Sequence, residues 1–212
     1  MSREENLQQI LDLTNLVDLG CGTKPYESIF KPYVIQYFGV DWEQTSEVHY
    51  GSETKADLFT DCTDTKLEEK SFDTLLSTQV MEHIYDTKAY LCECYRLLRK
   101  DGIAIFTVPL SWETHAEPFD YYRFTRFALE KLLVDHGFKI VKIEPIGGAY
   151  ATLMQLKIIS LYCRPSQNFL YKVFRKIRNI ILLPILNFLA LHLDRTFWND
   201  KLCLNYLVIA KV

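Results

Sequence analysis

The chain has 212 residues, 49% of them hydrophobic, with 24 lysines and arginines against 27 aspartates and glutamates and a formal charge of -3. That composition supports one full core and excludes a disordered chain. The small total conceals a division: residues 1 to 144 hold 25 acids and 15 bases, and residues 145 to 212 hold 2 acids and 9 bases, so the two parts stand at -10 and +7. Such a split implies two surfaces with different partners. The start, "MSREENLQQILDL", has no apolar stretch behind a basic opening, so no secretory leader is read and the cytoplasm is the expected compartment. The six cysteines (21, 62, 92, 94, 163 and 203) are then expected as thiols. They form no CxxC pair and no Cys/His cluster at ligand spacing, so no metal and no disulfide framework is predicted.

In chain order, "NLQQILDL" reads as a short amphipathic helix and "NLVDLG" as a short apolar strand ending at Gly20. Further strands are predicted in "IQYFGVDW", "SFDTLLST" (71–78), "GIAIFTVP" (102–109), "FKIVKIEP" (138–145) and "NYLVIAKV" (205–212). Between them, "DTKAYLCECYRLLRKDG" predicts a helix with Leu91, Tyr95 and Leu98 on one face, stopping at Asp101-Gly102. "FTRFALEKLLVDHGF" predicts another, capped by Thr125 and stopped by Gly137. Strands alternating with helices imply a mostly parallel sheet covered on both faces, and in such sheets ligands bind at the carboxyl ends of strands.

The first strand end, "VDLGCGTKPY", carries Gly20 and Gly22, which permit positive φ and let a ligand approach bare backbone. A tight turn without a ligand fits the same residues. Asp41, nineteen residues beyond Gly22 at the next predicted strand end, suits a carboxylate accepting hydrogen bonds from two ribose hydroxyls. Pro25 stands where a dinucleotide loop would have a third glycine, so the pattern points to a nucleoside without a pyrophosphate.

The blocks "VDLGCGTKPY", "GVD", "SFDTLLSTQVMEHI", "YRLLRKDGIAIFTVP" and "FDYYRFTRFALEKLLVDHGF" together resemble the class I S-adenosylmethionine-dependent methyltransferases, in particular a type 11-like group with GCGxKPY, STQVLEH and PxDFYRFT blocks. The likeness covers about residues 13 to 148. It implies an α/β, Rossmann-like fold: a seven-stranded, mostly parallel sheet with an antiparallel last strand, helices on both faces, and S-adenosyl-L-methionine over the first strand. It further implies Asp18, Gly20, Cys21 and Gly22 around the methionine part of the cofactor and Asp41 on its ribose. Asp61 would meet the adenine amino group and the Cys62 backbone N–H the ring. Thr65 and Lys66 replace the family's usual Leu-Pro in that segment. Ser77, Thr78 and Gln79 would line the methionine side and the floor of the substrate site.

Methyl transfer from a sulfonium is an in-line displacement, and a hydroxyl acceptor also needs a base near neutral pKa, a role suited to histidine. His83, in "VMEHI", and His115, in "PLSWETHAEPFDYYRFT", both follow predicted strand ends. His83 reads as a catalytic group or as a packed residue of a helix start, and His115 as a general base or a solvated loop residue. Tyr122 and Arg123 are candidate acceptor-binding residues, with pairing of Arg123 to Asp120 as the alternative.

The last two strands, a hairpin in this fold, are here separated by about sixty residues, too long for a plain loop. The chain therefore reads as a single domain over 1–212 with 149–204 as a basic, apolar helical insertion. Lys172, Arg175, Lys176 and Arg178 precede an apolar run from Ile180 to Leu193, broken by Pro184, Asn187 and His192. Fourteen residues are too few to span a bilayer, which takes about twenty. They fit either helices packed on the domain or in a dimer contact, or an interfacial helix at 172–193 on the inner membrane face. The expected acceptor is small, glycan or lipid-linked; nucleic acid is not expected, because the half with the strand-end sites is acidic. The oligomeric state, monomer or homodimer, is open.

Overall fold

The computed structural model describes residues 14–44, 53–162, 180 and 182–212, with the side chains of 161 and 162 left aside. The helix predicted over "NLQQILDL", Cys163 and the bases Lys172, Arg175, Lys176 and Arg178 lie outside the described residues. The strands are β1 (Thr14–Leu19), β2 (Val34–Asp41), β3 (Leu58–Phe59), β4 (Phe72–Thr78), β5 (Leu98–Pro109), β6 (Lys139–Ile146) and β7 (Asn205–Lys211). The helices are α1 (Glu27–Phe30), α2 (Thr87–Leu97), α3 (Arg126–Asp135), α4 (Ala149–Tyr162) and α5 (Leu183–Thr196). The seven strands form one sheet in the order β3-β2-β1-β4-β5-β7-β6. Pairings among β1 to β5 are parallel, and the sheet is mixed through its last strands. Strand order reverses between β1 and β4, which puts the carboxyl ends of β1, β2 and β4 at the switch point.

The central strands bury both faces, which explains their apolar sequences. Leu16, Val17 and Leu19 of β1 and Leu75 of β4 are fully buried, each worth about 1.5–3 kcal/mol relative to exposure. The apolar run of β1 ends at Gly20, whose φ of 74° no β-branched residue would tolerate. There the Gly20 and Cys21 N–H groups both donate to Val40 O, at 2.8 and 3.0 Å, fastening the turn to the end of β2.

Helix α3 starts and stops as its sequence predicts: the Thr125 side chain accepts from Ala128 N, and Gly137 follows at φ 91°. Helix α2 is capped by the Asp86 side chain, which accepts from Ala89 N, but it ends at Leu97 rather than at Asp101-Gly102. The cause is tertiary. Lys70 N and Ser71 N donate to Arg96 O and Leu97 O, satisfying carbonyls that another turn of helix would have used. Arg99 then pairs with Asp73 of β4 at 2.8 Å and draws the chain into β5 from Leu98 onward. The predicted face of Leu91, Tyr95 and Leu98 is corrected accordingly: Tyr90, Leu91, Cys94 and Leu97 are buried, Tyr95 is exposed, and Leu98 belongs to the strand. Cys92 and Cys94 face opposite ways, exposed and buried.

The chain divides into two compact units, Met1–Val108 with His115–Glu144 and Leu207–Val212, and Pro109–Thr114 with Pro145–Tyr206. Within the second, Asp194 of α5 is buried and accepts from Gly148 N (2.8 Å), Tyr150 N (2.9 Å) and Ala151 N (3.1 Å), closing the start of α4. A Cβ at Gly148 would sit 2.7 Å from that carboxylate, so the glycine is needed for the contact. One of the two acids of the basic part of the chain is thus spent inside it.

Candidate active site

In the first unit, a cavity of about 580 Å³ opens beside the carboxyl ends of β1, β2 and β4. Two sets of residues line it, Asp41, Trp42, Asp61, Cys62 and Thr63 forming the first end and Gln79, His83, Tyr85, His115, Phe119 and Tyr121 the second, and the two meet where Trp42 packs on Phe119. Gly20 and Val80 line it as well.

The first end is positioned by regular structure. Asp41 closes β2, and its Oδ2 accepts from Gly22 N at 2.9 Å while Oδ1 accepts from Trp42 N at 2.7 Å. Each carboxylate oxygen has room for a second hydrogen bond, so Asp41 can hold the glycine turn and still accept from two ligand hydroxyls. Gly20 serves packing as well as backbone conformation, because a Cβ there would lie 2.3 Å from Val80 Cγ2. Asp61 Oδ1 accepts from Thr63 N and Thr63 Oγ1, both at 2.7 Å. Thr65, at the departure from the usual Leu-Pro, bonds the buried carboxylate of Glu93 through its N–H (2.9 Å) and its hydroxyl, so this loop is fixed by a polar contact in place of an apolar one.

Five residues that sequence reasoning gave to the cofactor do not line the cavity: Asp18, Cys21, Gly22, Ser77 and Thr78. Asp18 is buried within β1 and accepts from the Tyr37 hydroxyl, while its Oδ1 has no hydrogen-bond partner. Burial, with Asp41 adding to it and Tyr37 opposing, pushes its carboxyl up to about 7. Cys21 and Gly22 support the turn from behind, and burial pushes the Cys21 thiol well above its ordinary value. Ser77 is buried and accepts from the Tyr90 hydroxyl at 2.6 Å.

The second end is loop packed on loop. After β4, Gln79 at φ 57° turns the chain into a short 3-10 helix, Met81–His83. Tyr121 N and Tyr122 N both donate to Glu82 O, at 2.9 and 3.2 Å, and so dock the segment that carries His115 onto this turn. His83 Nδ1 lies 2.7 Å from Phe119 O, and the His83 and His115 rings meet edge to face with centroids 4.8 Å apart. Burial lowers the His83 pKa, with the Phe119 carbonyl opposing and His115 adding to the effect, which favours the neutral imidazole.

Asp120 accepts from His115 N at 2.9 Å and takes both Arg123 nitrogens at 2.6 and 2.7 Å. Burial would raise its pKa, but these bonds bring it to about 2. Arg123 is therefore the pin of this loop, and neither it nor Tyr122 lines the cavity; Tyr122 instead donates to Tyr85 O at 3.0 Å. The neighbouring Tyr121 supplies the aromatic wall. Sequence reading missed Trp42 and Phe119, whose rings meet at 5.2 Å across the cavity wall. Both lie beside residues it had singled out. It also passed over Glu82, fully buried beside His83, whose carboxyl burial pushes up to about 7 against the Arg123 charge.

Comparison with known proteins fits this geometry. Residues 17–106 match the family model of the methyltransferase domain, a span that holds the glycine turn, Asp41 and the Glu82-His83 turn but not His115. A probable S-adenosylmethionine-dependent methyltransferase of Mycobacterium tuberculosis is 25% identical over 132 residues, 58% of this chain and 48% of that protein. A similar relative in Mycolicibacterium smegmatis is 22% identical over 134 residues, 59% of this chain and 52% of its own length. The chain thus spans about half the length of the curated relatives it matches. Among solved structures, a SAM-dependent methyltransferase from Archaeoglobus fulgidus superposes with a TM-score of 0.60 at 17% identity, covering 100% of this chain and 95% of that one. Another from Mesorhizobium loti gives 0.60 at 14% identity, covering 98% and 96%. Over residues 17–106 the chain is thus similar to the methyltransferase domain, and its fold is that of S-adenosylmethionine-dependent methyltransferases of known structure.

Proposed function

We propose that this protein transfers a methyl group from S-adenosyl-L-methionine to a hydroxyl of a small, glycan or lipid-linked acceptor. The observation that carries this reading is a single cavity joining the Asp41 and Asp61 carboxylates at one end to two histidines at the other. The cofactor supplies an electrophilic methyl on sulfonium. On this reading Asp41 and Asp61 hold its nucleoside, and Gly20 leaves the backbone bare where its chain passes. Trp42, Tyr121 and Phe119 exclude water and orient the acceptor, since alignment is most of what such a displacement requires. His115, with Asp120 3.3 Å behind its Nδ1, is placed to take the acceptor's proton.

Screening of candidate acceptors with the cofactor, read by mass spectrometry for the gain of one methyl on oxygen, tests the reading. His115→Ala is expected to lower turnover by about 10²–10⁴-fold with little change in cofactor affinity. Products methylated only on nitrogen or carbon would replace the O-directed reading, and cofactor binding without any turnover would leave a binding scaffold.

A second reading concerns place. Helix α5 exposes Ile185, Phe188 and Leu191, and the sequence before it carries four bases and no acid. Among the described residues no helix is long and apolar enough to cross a membrane. We infer a peripheral contact of residues 172–193 with an anionic membrane face, which suits a lipid-linked acceptor. Flotation with anionic vesicles tests it: protein remaining wholly with the soluble fraction removes the contact.

A further inference from the structure

Glu82, His83 and His115 each offer one ligand-type atom to the others, and these atoms all lie within 4.8 Å of one another. Three features set this cluster apart from an acid packed between imidazoles.

Glu82 is 0% exposed, yet among the described residues neither of its carboxylate oxygens has a hydrogen-bond partner. His83 Nε2, at 3.7 Å, lies beyond hydrogen-bonding reach. Leaving a buried polar group unsatisfied costs about 1–3 kcal/mol, and more if it is charged, so the arrangement calls for a partner.

Both imidazoles are oriented from behind. His83 Nδ1 faces Phe119 O at 2.7 Å, and His115 Nδ1 faces the Asp120 carboxylate at 3.3 Å, with Nη2 of the clamping Arg123 3.5 Å from the same nitrogen. A carbonyl or carboxylate on the far nitrogen is how metal-binding histidines are held, because it fixes the tautomer and raises the basicity of the other nitrogen.

The spacing is also near that of a chelate. Ligands of a tetrahedral site with bonds of about 2.1 Å stand about 3.4 Å apart. The 3.7 Å between Glu82 Oε1 and His83 Nε2 is already close, and side-chain movement of at most about 1.4 Å closes the rest.

We propose that Glu82, His83 and His115 bind a divalent, zinc-type cation in the wall of the cavity, with a coordination position open to the acceptor. Two imidazoles and one carboxylate form the donor set of catalytic zinc sites. The purpose of the ion rests on the methyl-transfer reading, although its binding does not. The cation holds the acceptor's hydroxyl oxygen and makes its proton easier to lose. The O–H bond breaks with the proton leaving to water, the oxygen bonds the donor's methyl carbon, and the pair of the broken carbon–sulfur bond stays on sulfur. His115 then serves as a ligand in place of a proton acceptor.

The test uses the full chain stripped with a chelator. Cobalt(II) is titrated and followed by visible absorption, and zinc(II) is titrated in a calorimeter. Binding of about one ion per chain is expected, with d–d absorption of low-symmetry N/O coordination. Glu82→Gln, which keeps the shape of the side chain, is expected to weaken binding at least 100-fold, and Asp120→Asn, acting through His115, 10–100-fold. Absence of saturable binding, or equal affinity in wild type and Glu82→Gln, overturns the proposal. So does methyl transfer that persists undiminished in the stripped protein, which would return His115 to the role of base. Metal bound with the expected variant dependence, but with no affinity for S-adenosyl-L-methionine, would uphold the ion site and sink the methyl-transfer reading alone.

Discussion

The two ends of the cavity are built from different kinds of structure. The Asp41 end is made of strand ends and the turn after β1, held by Gly20 N and Cys21 N at Val40 O and by Gly22 N at the Asp41 carboxylate. The histidine end is one loop laid on another, joined by Tyr121 N and Tyr122 N at Glu82 O and by His83 at Phe119 O. A buried carboxyl with its pKa pushed up to about 7 lies behind each: Asp18 behind the first, Glu82 behind the second. Asp18 has the Tyr37 hydroxyl as a partner, whereas both oxygens of Glu82 have none. A partnered buried acid belongs to the scaffold. An unpartnered one marks a place where something is expected to bind.

The largest expected effect is the pH dependence that Asp18 gives to stability. Its folded pKa of about 7 lies above the ordinary 3.8, so the folded state holds the proton more tightly. Its contribution is therefore complete below pH 4 and lost as pH rises toward 7. At about 1.36 kcal/mol per pK unit this amounts to a loss on the order of 4 kcal/mol. Asp18→Asn should remove its share of the fall over that window and leave the share of Glu82, also held up to about 7, measured by urea unfolding at pH 4.5 and pH 8. Parallel profiles in the two proteins would show that Asp18 is not the acid held protonated there.

Next comes Gly20→Ala, which places a Cβ against Val80 at a positive φ and is expected to cost about 2–4 kcal/mol. Gly20→Ala combined with Val80→Ala should recover the packing part, leaving about 1 kcal/mol for the backbone. Full recovery, or none, would show that one of the two causes acts alone. The denaturation midpoints of the four proteins in the cycle decide this.

Asp41→Ala tests the ends directly against each other. It should weaken S-adenosyl-L-methionine binding about 30-fold, or about 2 kcal/mol, while His115→Ala should leave that affinity within about twofold. Asp41→Asn keeps an acceptor for Gly22 N and should fall between wild type and Asp41→Ala. Calorimetry that finds equal losses for Asp41→Ala and His115→Ala would dissolve the distinction between a cofactor end and an acceptor end.

What could be read from the sequence follows the same division. Strands β1, β2, β4, β6 and β7 are close to their predicted bounds because apolar runs and glycine stops are local signals. Asp41 and Asp61 line the cavity because strand ends converge at the switch point of the sheet. The end of α2 was misplaced because Lys70 and Ser71, distant in sequence, take its last carbonyls. Strand β3, two residues long, is too short to show alternation. Glu82 sits next to a histidine that sequence had singled out, but its burial depends on tertiary packing, where Tyr121 N and Tyr122 N dock on its main-chain oxygen.

The smallest expected effect bears on which of two adjacent tyrosines meets the acceptor. No period of helix or strand runs through residues 111–125, so sequence offers no rule for which ring faces inward. In the fold Tyr121 lines the cavity, and the Tyr122 hydroxyl is turned to Tyr85 O. Tyr122→Phe removes one partly exposed hydrogen bond and should cost about 0.5–1 kcal/mol of stability with turnover and KM unchanged. Tyr121→Ala should raise the acceptor KM while leaving cofactor affinity as it was. A Tyr122→Phe variant that loses turnover without loss of stability would place the wrong tyrosine at the acceptor, and with it the docking of this loop on Glu82.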